Sequence, residues 1–216
     1  MGDAAAPHEL CRELLTRLDR AGVLKGRVLV GGWCGYFYKY FFSYLALPLE
    51  PREVDFAAVA ASPTRQASSG LLEAMKPAGF SADILCDGYV RLAHRDLIVE
   101  FLVPTPVKRR RLDAELADSM DFLLTDPVTV HAAGLAVKLA HPVRFAFQKL
   151  ILSRRSRKAD KRERDRRQAV ETLDAVFGRG EGEQAVSVFR ELPQGWKKAV
   201  TAGLQDAGRA ELARLL

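Results

Sequence analysis

Residues 27–32 read Arg-Val-Leu-Val-Gly-Gly, and residues 53–59 read Glu-Val-Asp-Phe-Ala-Ala-Val. The first run is a short β-branched strand entering a glycine pair, and Trp33 to Leu45 after it is predicted to be helical. Glycines at such a junction let the backbone approach a ligand. The helix start behind them offers N–H groups and a positive dipole end that suit a phosphate. A plain strand-to-helix turn has the same sequence, so Gly31 and Gly32 alone do not separate the two readings. The second run predicts a buried strand over 54–60. On it Glu53 and Asp55 stand at i and i+2, on one face and about 6.6 Å apart at the strand rise. Two carboxylates so placed can hold divalent cations between them, or pair with a nearby arginine. A buried carboxylate needs a cation or hydrogen-bond donors in either case.

A third acid lies further along. Glu100 is the single charge in Leu97-Ile98-Val99-Glu100-Phe101-Leu102-Val103. Alternation along a strand puts Ile98, Glu100 and Leu102 on one face and Leu97, Val99, Phe101 and Val103 on the other. Glu100 is therefore expected either on a half-covered surface or in a polar site.

Around these three signals the chain has a simple order. A helix with Leu10, Leu14, Leu15 and Leu18 on one face is expected from Pro7 to Ala21, with Gly22 as its stop. Pro63 to Met75 reads as helical. Strand-like runs follow at 80–85, 89–93 and 97–103, with Asp87-Gly88 as a hairpin turn and His94-Arg95-Asp96 as a tighter one. Lys108 to Leu124 is irregular or weakly helical. Val128 to His131 and Leu135 to Leu139 form a second hairpin around Gly134. After Pro142 the pattern is helical: Arg144 to Arg154, Lys158 to Phe177, and one or two helices from Glu183 divided by Pro193. This predicts an α/β domain over 1–140 with a mixed sheet, and a C-terminal helical subdomain over 141–216.

The chain has 216 residues, 48% hydrophobic and 28% charged, which excludes a disordered or collagenous protein. Its net charge of +6 is concentrated. Arg154 to Arg167 holds nine basic and three acidic residues, a net +6, so the rest is neutral overall. That stretch is either a phosphate- or nucleic-acid-facing wall or an exposed helix stabilised by its own i, i+4 acid–base pairs. Lys108 to Arg111 is a smaller basic patch, read as a solvated loop. Cys11, Cys34 and Cys86 are odd in number and have no zinc spacing, which points to a reducing cytoplasm. The N-terminus lacks a signal-peptide core. Val28 to Leu49 is long enough to span a bilayer, but three glycines, Pro48 and four tyrosines favour a strand, a turn and an aromatic helix; no membrane partner is expected. Phe37, Tyr40, Phe41 and Tyr44 are expected to form the helix stripe that packs under the sheet. His8, His94, His131 and His141 have no metal-ligand spacing and are assigned to surface or turn positions.

The glycine pair at a helix start, the i, i+2 acids on the next strand and the later acid together resemble the polymerase-beta-like nucleotidyltransferase superfamily. Pro142-Val143-Arg144-Phe145-Ala146-Phe147-Gln148-Lys149-Leu150, then Ser153-Arg154-Arg155, then Lys161 to Ala169, is similar to a bacterial branch with the pattern P-x-R-F-A-x-H-K-L, S-x-R and K-x-x-R-D-x-x-Q-A. The resemblance covers about residues 27–175. It implies a nucleotidyltransferase fold and transfer of a nucleoside monophosphate from an NTP to an acceptor, either RNA, protein or a small molecule. In that family Gly31 and Gly32 would contact the triphosphate. Glu53 and Asp55 would hold two Mg²⁺ ions, and Glu100 would complete the metal set or act as base. Lys149, Arg155 and Lys161 would neutralise the triphosphate from the far side of a cleft between the two domains. A catalytically inactive nucleotide- or RNA-binding module, or a toxin–antitoxin component, is the alternative. This chain departs from the branch in two ways, Glu53 replacing an Asp and Gln148 a His, and its gap from Gly32 to Glu53 is longer than in the most familiar members of the superfamily. The oligomeric state is not indicated by the sequence.

Overall fold

The computed structural model describes residues 7–42, 52–58, 71–84, 90–102, 120–132, 134–156 and 158–216. The predicted turn at Asp87-Gly88, the end of the aromatic helix at Tyr44, the basic patch at Lys108 to Arg111 and Cys86 lie outside them.

Helix α1 (Pro7–Arg20) buries Leu10, Leu14, Leu15 and Leu18, the stripe expected from their spacing, and Cys11 as well. Burial raises the Cys11 thiol far above its ordinary value, because a thiolate there would lose its water. Strand β1 (Arg27–Val30) follows and runs into helix α2 (Gly32–Phe42). Strand β2 (Glu53–Ala58) comes next. Helical residues 71–75 and a 3-10 turn at Lys76–Ala78 lead to β3 (Ser81–Ile84), β4 (Val90–Ala93) and β5 (Ile98–Leu102). The hairpin β6 (Val128–Ala132) and β7 (Leu135–Leu139) closes the sheet-forming part. Five helices follow: α3 (Pro142–Ser153), α4 (Ala159–Gly178), α5 (Gly182–Glu191), α6 (Gln194–Asp206) and α7 (Ala210–Leu215).

The seven strands form one mixed sheet in the order β3-β4-β5-β2-β1-β7-β6. β2 runs parallel to β5 and β1 parallel to β7, and the other neighbours are antiparallel. Alternation sorts the two faces of the central strands. Val54, Phe56, Val99 and Phe101 are buried, with the Phe56 and Phe101 rings stacked at 5.6 Å, while Asp55, Ile98, Glu100 and Leu102 are half-buried on the other face.

The chain forms two compact units. One comprises Met1–Phe37 with Pro48–Ala140, the other Tyr38–Leu47 with His141–Leu216. The last turn of α2 thus joins the second unit, where the Tyr38 ring meets the Phe145 ring edge-on at 5.3 Å. Within α2 the buried side chains are Trp33, Cys34, Phe37, Tyr38 and Phe42. Tyr40, expected in the core, is 46% exposed, and the Lys39 ammonium lies 5.0 Å from its ring centre. Tyr40 lies at the edge of the 33/34/37/38 side, seven residues beyond Trp33 in the last turn of α2, and is left exposed there.

In the second unit α3 is buried almost all round, which makes it the central helix. Pro142 supplies a preset first turn, and His141 Nδ1 accepts from the Val143 N–H at 3.3 Å. His141 is thus a buried cap and not the surface or turn residue its spacing suggested. The helices after Pro193 number two, with α5 before it.

Candidate active site

The sheet register assembles the first unit's acids. Asp55 on β2 lies directly beside Glu100 on β5, and Glu53 stands two residues before Asp55 on the same strand. Laterally paired residues of neighbouring strands project to the same face, so all three carboxylates share one side of the sheet. The row continues to both sides. Val30 of β1 is the neighbour of Asp55, Arg91 of β4 is the neighbour of Glu100, and Asp83 of β3 is the neighbour of Arg91. From edge to centre the charges read Asp83, Arg91, Glu100, Asp55.

Asp55 also reaches the glycine turn. Gly31 has φ +73°, and a Cβ built on it would collide with the Asp55 carboxylate. Glycine is therefore required at 31 on two counts, the left-handed backbone and the close approach of the acid. Gly31 immediately precedes α2, whose first turn carries no acidic residue. The aligned peptide dipoles of that helix start favour negative charge beside Gly31. Gly32 is the first residue of α2 itself. Cys34 ties the turn down: its N–H donates to Gly31 O at 3.2 Å and its Sγ–H to Leu29 O at 3.0 Å.

Glu100 has a cationic neighbour. Arg91 Nε lies 3.7 Å from Glu100 Oε1, and both side chains are 39% exposed. That Nε is buried with no hydrogen-bond acceptor among the described residues. Glu53 is exposed at the start of β2. The three carboxylates are hard oxygen donors of the kind Mg²⁺ takes. They are not drawn into a ready cluster: among the described residues, no three His, Cys, Asp or Glu side chains gather so as to hold a metal ion. The Arg91 guanidinium beside Glu100 is one physical reason, since it offers that carboxylate a competing positive charge.

The helical unit places its expected residues differently. Lys149 on α3 donates to Asp165 Oδ1 on α4 at 2.6 Å, with the side chains only 12% and 2% exposed. Its ammonium also lies 5.6 Å from the centre of the Phe145 ring. The lysine expected to face a triphosphate is therefore engaged by a buried acid of its own unit. Arg155 and Lys161 are exposed. Part of the basic stretch is neutralised locally, because Arg154 and Arg166 both donate to Asp206, at 2.9 and 3.0 Å. Sequence reasoning missed Arg91 and the Lys149–Asp165 pairing. The first was legible only as an arginine in an apolar hairpin strand, and the second required the packing of α3 on α4.

Residues 9–186 match the model of a family described as Nucleotidyltransferase. The chain belongs to this nucleotidyltransferase family. Nucleotidyl transfer is the family's class of activity. The nucleotidyltransferase has the fold of an antigenic nucleotidyltransferase-like protein from Paracoccidioides brasiliensis, at 14% identity and a TM-score of 0.52, with 94% of this chain and 93% of that one covered. It also aligns with the antibiotic-resistance factor ANT(2'')-Ia at 13% identity and a TM-score of 0.45, over 93% of this chain and 95% of that one. No curated protein matches the nucleotidyltransferase in sequence. No helix among its described residues is long and apolar enough to cross a membrane.

Proposed function

We propose that this nucleotidyltransferase moves a nucleoside monophosphate from an NTP to an acceptor hydroxyl, with its chemistry on the Asp55 face of the sheet. The observation that carries the reading is the register of Asp55 beside Glu100, with the Asp55 carboxylate against Gly31 at the start of α2. The acceptor oxygen forms a bond to the α-phosphorus, the bond to the β-phosphate oxygen breaks, and pyrophosphate leaves. Gly31 and Gly32 bring backbone close to the phosphates at the helix start. Glu53, Asp55 and Glu100 would hold two Mg²⁺, which supply charge neutralisation for the developing oxyanions. Glu100 is either the third ligand or the group that takes the acceptor's proton, and Arg91 orients its carboxylate. The acceptor class, whether RNA, protein or small molecule, is to be found by assay. Cys11 and Cys34 are buried and form no disulfide among the described residues, in keeping with a reducing cytoplasm.

The test is transfer of label from α-labelled NTPs to total tRNA and to cell lysate, with and without Mg²⁺. Wild type should label an acceptor only with Mg²⁺. Asp55→Asn should fold normally and lose at least about 100-fold in rate, the scale of removing a key charge-stabilising group. Full activity in Asp55→Asn would overturn the reading. Mg²⁺-independent RNA binding with steep salt dependence and no transfer would replace it with a binding module.

A further inference from the structure

A second site stands at the other end of β1 from the glycine turn. β1 and β7 run parallel, with Leu29 and Leu139 as register partners. A cavity of about 410 Å³ opens there, between the α1–β1 turn and residues 136–138. Three cations line it, Lys25, Arg27 and Lys138, against one acid, Asp19. Gly22 and Gly26 form part of the wall, and a Cβ at either would meet nothing within 4 Å. Phe56 and Val137 supply an apolar surface.

Arg27 is the informative residue. It is 7% exposed, and arginine is rarely so buried without a charged partner. Its Nε donates to Val23 O at 2.8 Å, and its guanidinium carbon lies 4.9 Å from the centre of the Phe101 ring. These contacts fix the group in place and satisfy part of it. Its Nη1 is buried with no acceptor among the described residues. Desolvation pulls the pKa of the guanidinium down, so burial works against the charge. A buried guanidinium whose Nη1 has no acceptor among the described residues, in a cavity also lined by two lysines, is arranged for an anion. A forked guanidinium is also the side chain best matched to the paired oxygens of a phosphate or carboxylate.

We infer that this cavity binds a small organic anion, a phosphate or carboxylate, gripped by Arg27 with Lys25 and Lys138 at the mouth. The volume is in the range of small-molecule sites. Arg27 pairs laterally with Ala58, and Asp55 with Val30. The two sites are thus three residues apart along β1, about 10 Å at the strand rise, and Arg27 projects to the face opposite Asp55. The Arg27 side of the site is therefore on the face opposite the one proposed for transfer, while Lys138, which alternates with Leu139 on β7, projects to the Asp55 face.

The experiment is a titration of the full ¹⁵N-labelled chain with ribose 5-phosphate, and separately with citrate, against sodium chloride at matched ionic strength. The amide resonances of Gly22 and Gly26 are the reporters. Saturable shifts with ribose 5-phosphate assign a phosphate site, and with citrate a carboxylate site. Arg27→Met should weaken binding at least about tenfold, the loss of one charged hydrogen-bonded contact. Lys138→Glu and Lys25→Glu change exposed residues, keep the fold and should weaken binding likewise, so the test survives if Arg27→Met does not fold. Shifts that fail to saturate by about 10 mM, or that match those in sodium chloride, would overturn the site. So would affinity unchanged by both lysine reversals. None of these readouts depends on nucleotidyl transfer.

Discussion

Lys149 and Asp165 form a buried ion pair between α3 and α4, at 2.6 Å. Both residues belong to the motif by which the helical half resembles a branch of nucleotidyltransferases. The structure ascribes part of that motif to packing. Lys149 comes from the first segment and Asp165 from the K-x-x-R-D-x-x-Q-A segment, and Gln148 and Gln168 from the same two segments are also buried.

Breaking that pair should be costly. Lys149→Met leaves Asp165 charged and nearly waterless, and about 3–5 kcal/mol of stability should be lost in urea unfolding. Asp165→Leu should cost a similar amount by stranding the ammonium. The double variant Lys149→Met/Asp165→Leu should recover most of the loss, because neither uncompensated charge remains. If the single variants unfold at the wild-type urea midpoint, the pair contributes no stability and Lys149 is available for another task.

Gly31 should tolerate no side chain. Gly31→Ala meets both a left-handed backbone and the Asp55 carboxylate. The expected loss is about 1–3 kcal/mol in thermal or urea unfolding, the usual scale for strained backbone. Asp55→Gly on the Gly31→Ala background should restore part of the stability by removing the colliding carboxylate, while the φ strain stays. No recovery would mean that the backbone alone demands glycine.

Arg91 should set how strongly a cation must compete for Glu100. The pair is 39% exposed on each side, so Arg91→Met should change stability by no more than about 1 kcal/mol. Its effect should appear in the Mg²⁺ titration of nucleotidyl transfer. With the guanidinium gone, Glu100 is released to the metal, and the half-saturating Mg²⁺ concentration should fall several-fold. An unchanged Mg²⁺ dependence would show that Glu100 acts outside the metal set.

The sequence by itself determined the local elements. The leucine spacing in α1, the β-branched run before Gly31, the hairpin around Gly134 and the helices after Pro142 all follow from periodicity and turn chemistry, which depend only on near neighbours. The shared face of Glu53 and Asp55 is of the same kind, because strand alternation settles it. Only the tertiary structure decided which strands meet. β2 lies between β1 and β5, and β1 lies beside β7, more than 100 residues away, so Asp55 gains Glu100 as a neighbour through pairing that no local pattern encodes. Arg91 beside Glu100, Lys149 against Asp165 and Arg27 buried over the Phe101 ring arise in the same way. Charges are readable in a sequence, but what compensates each one depends on long-range packing and on how much water that packing removes.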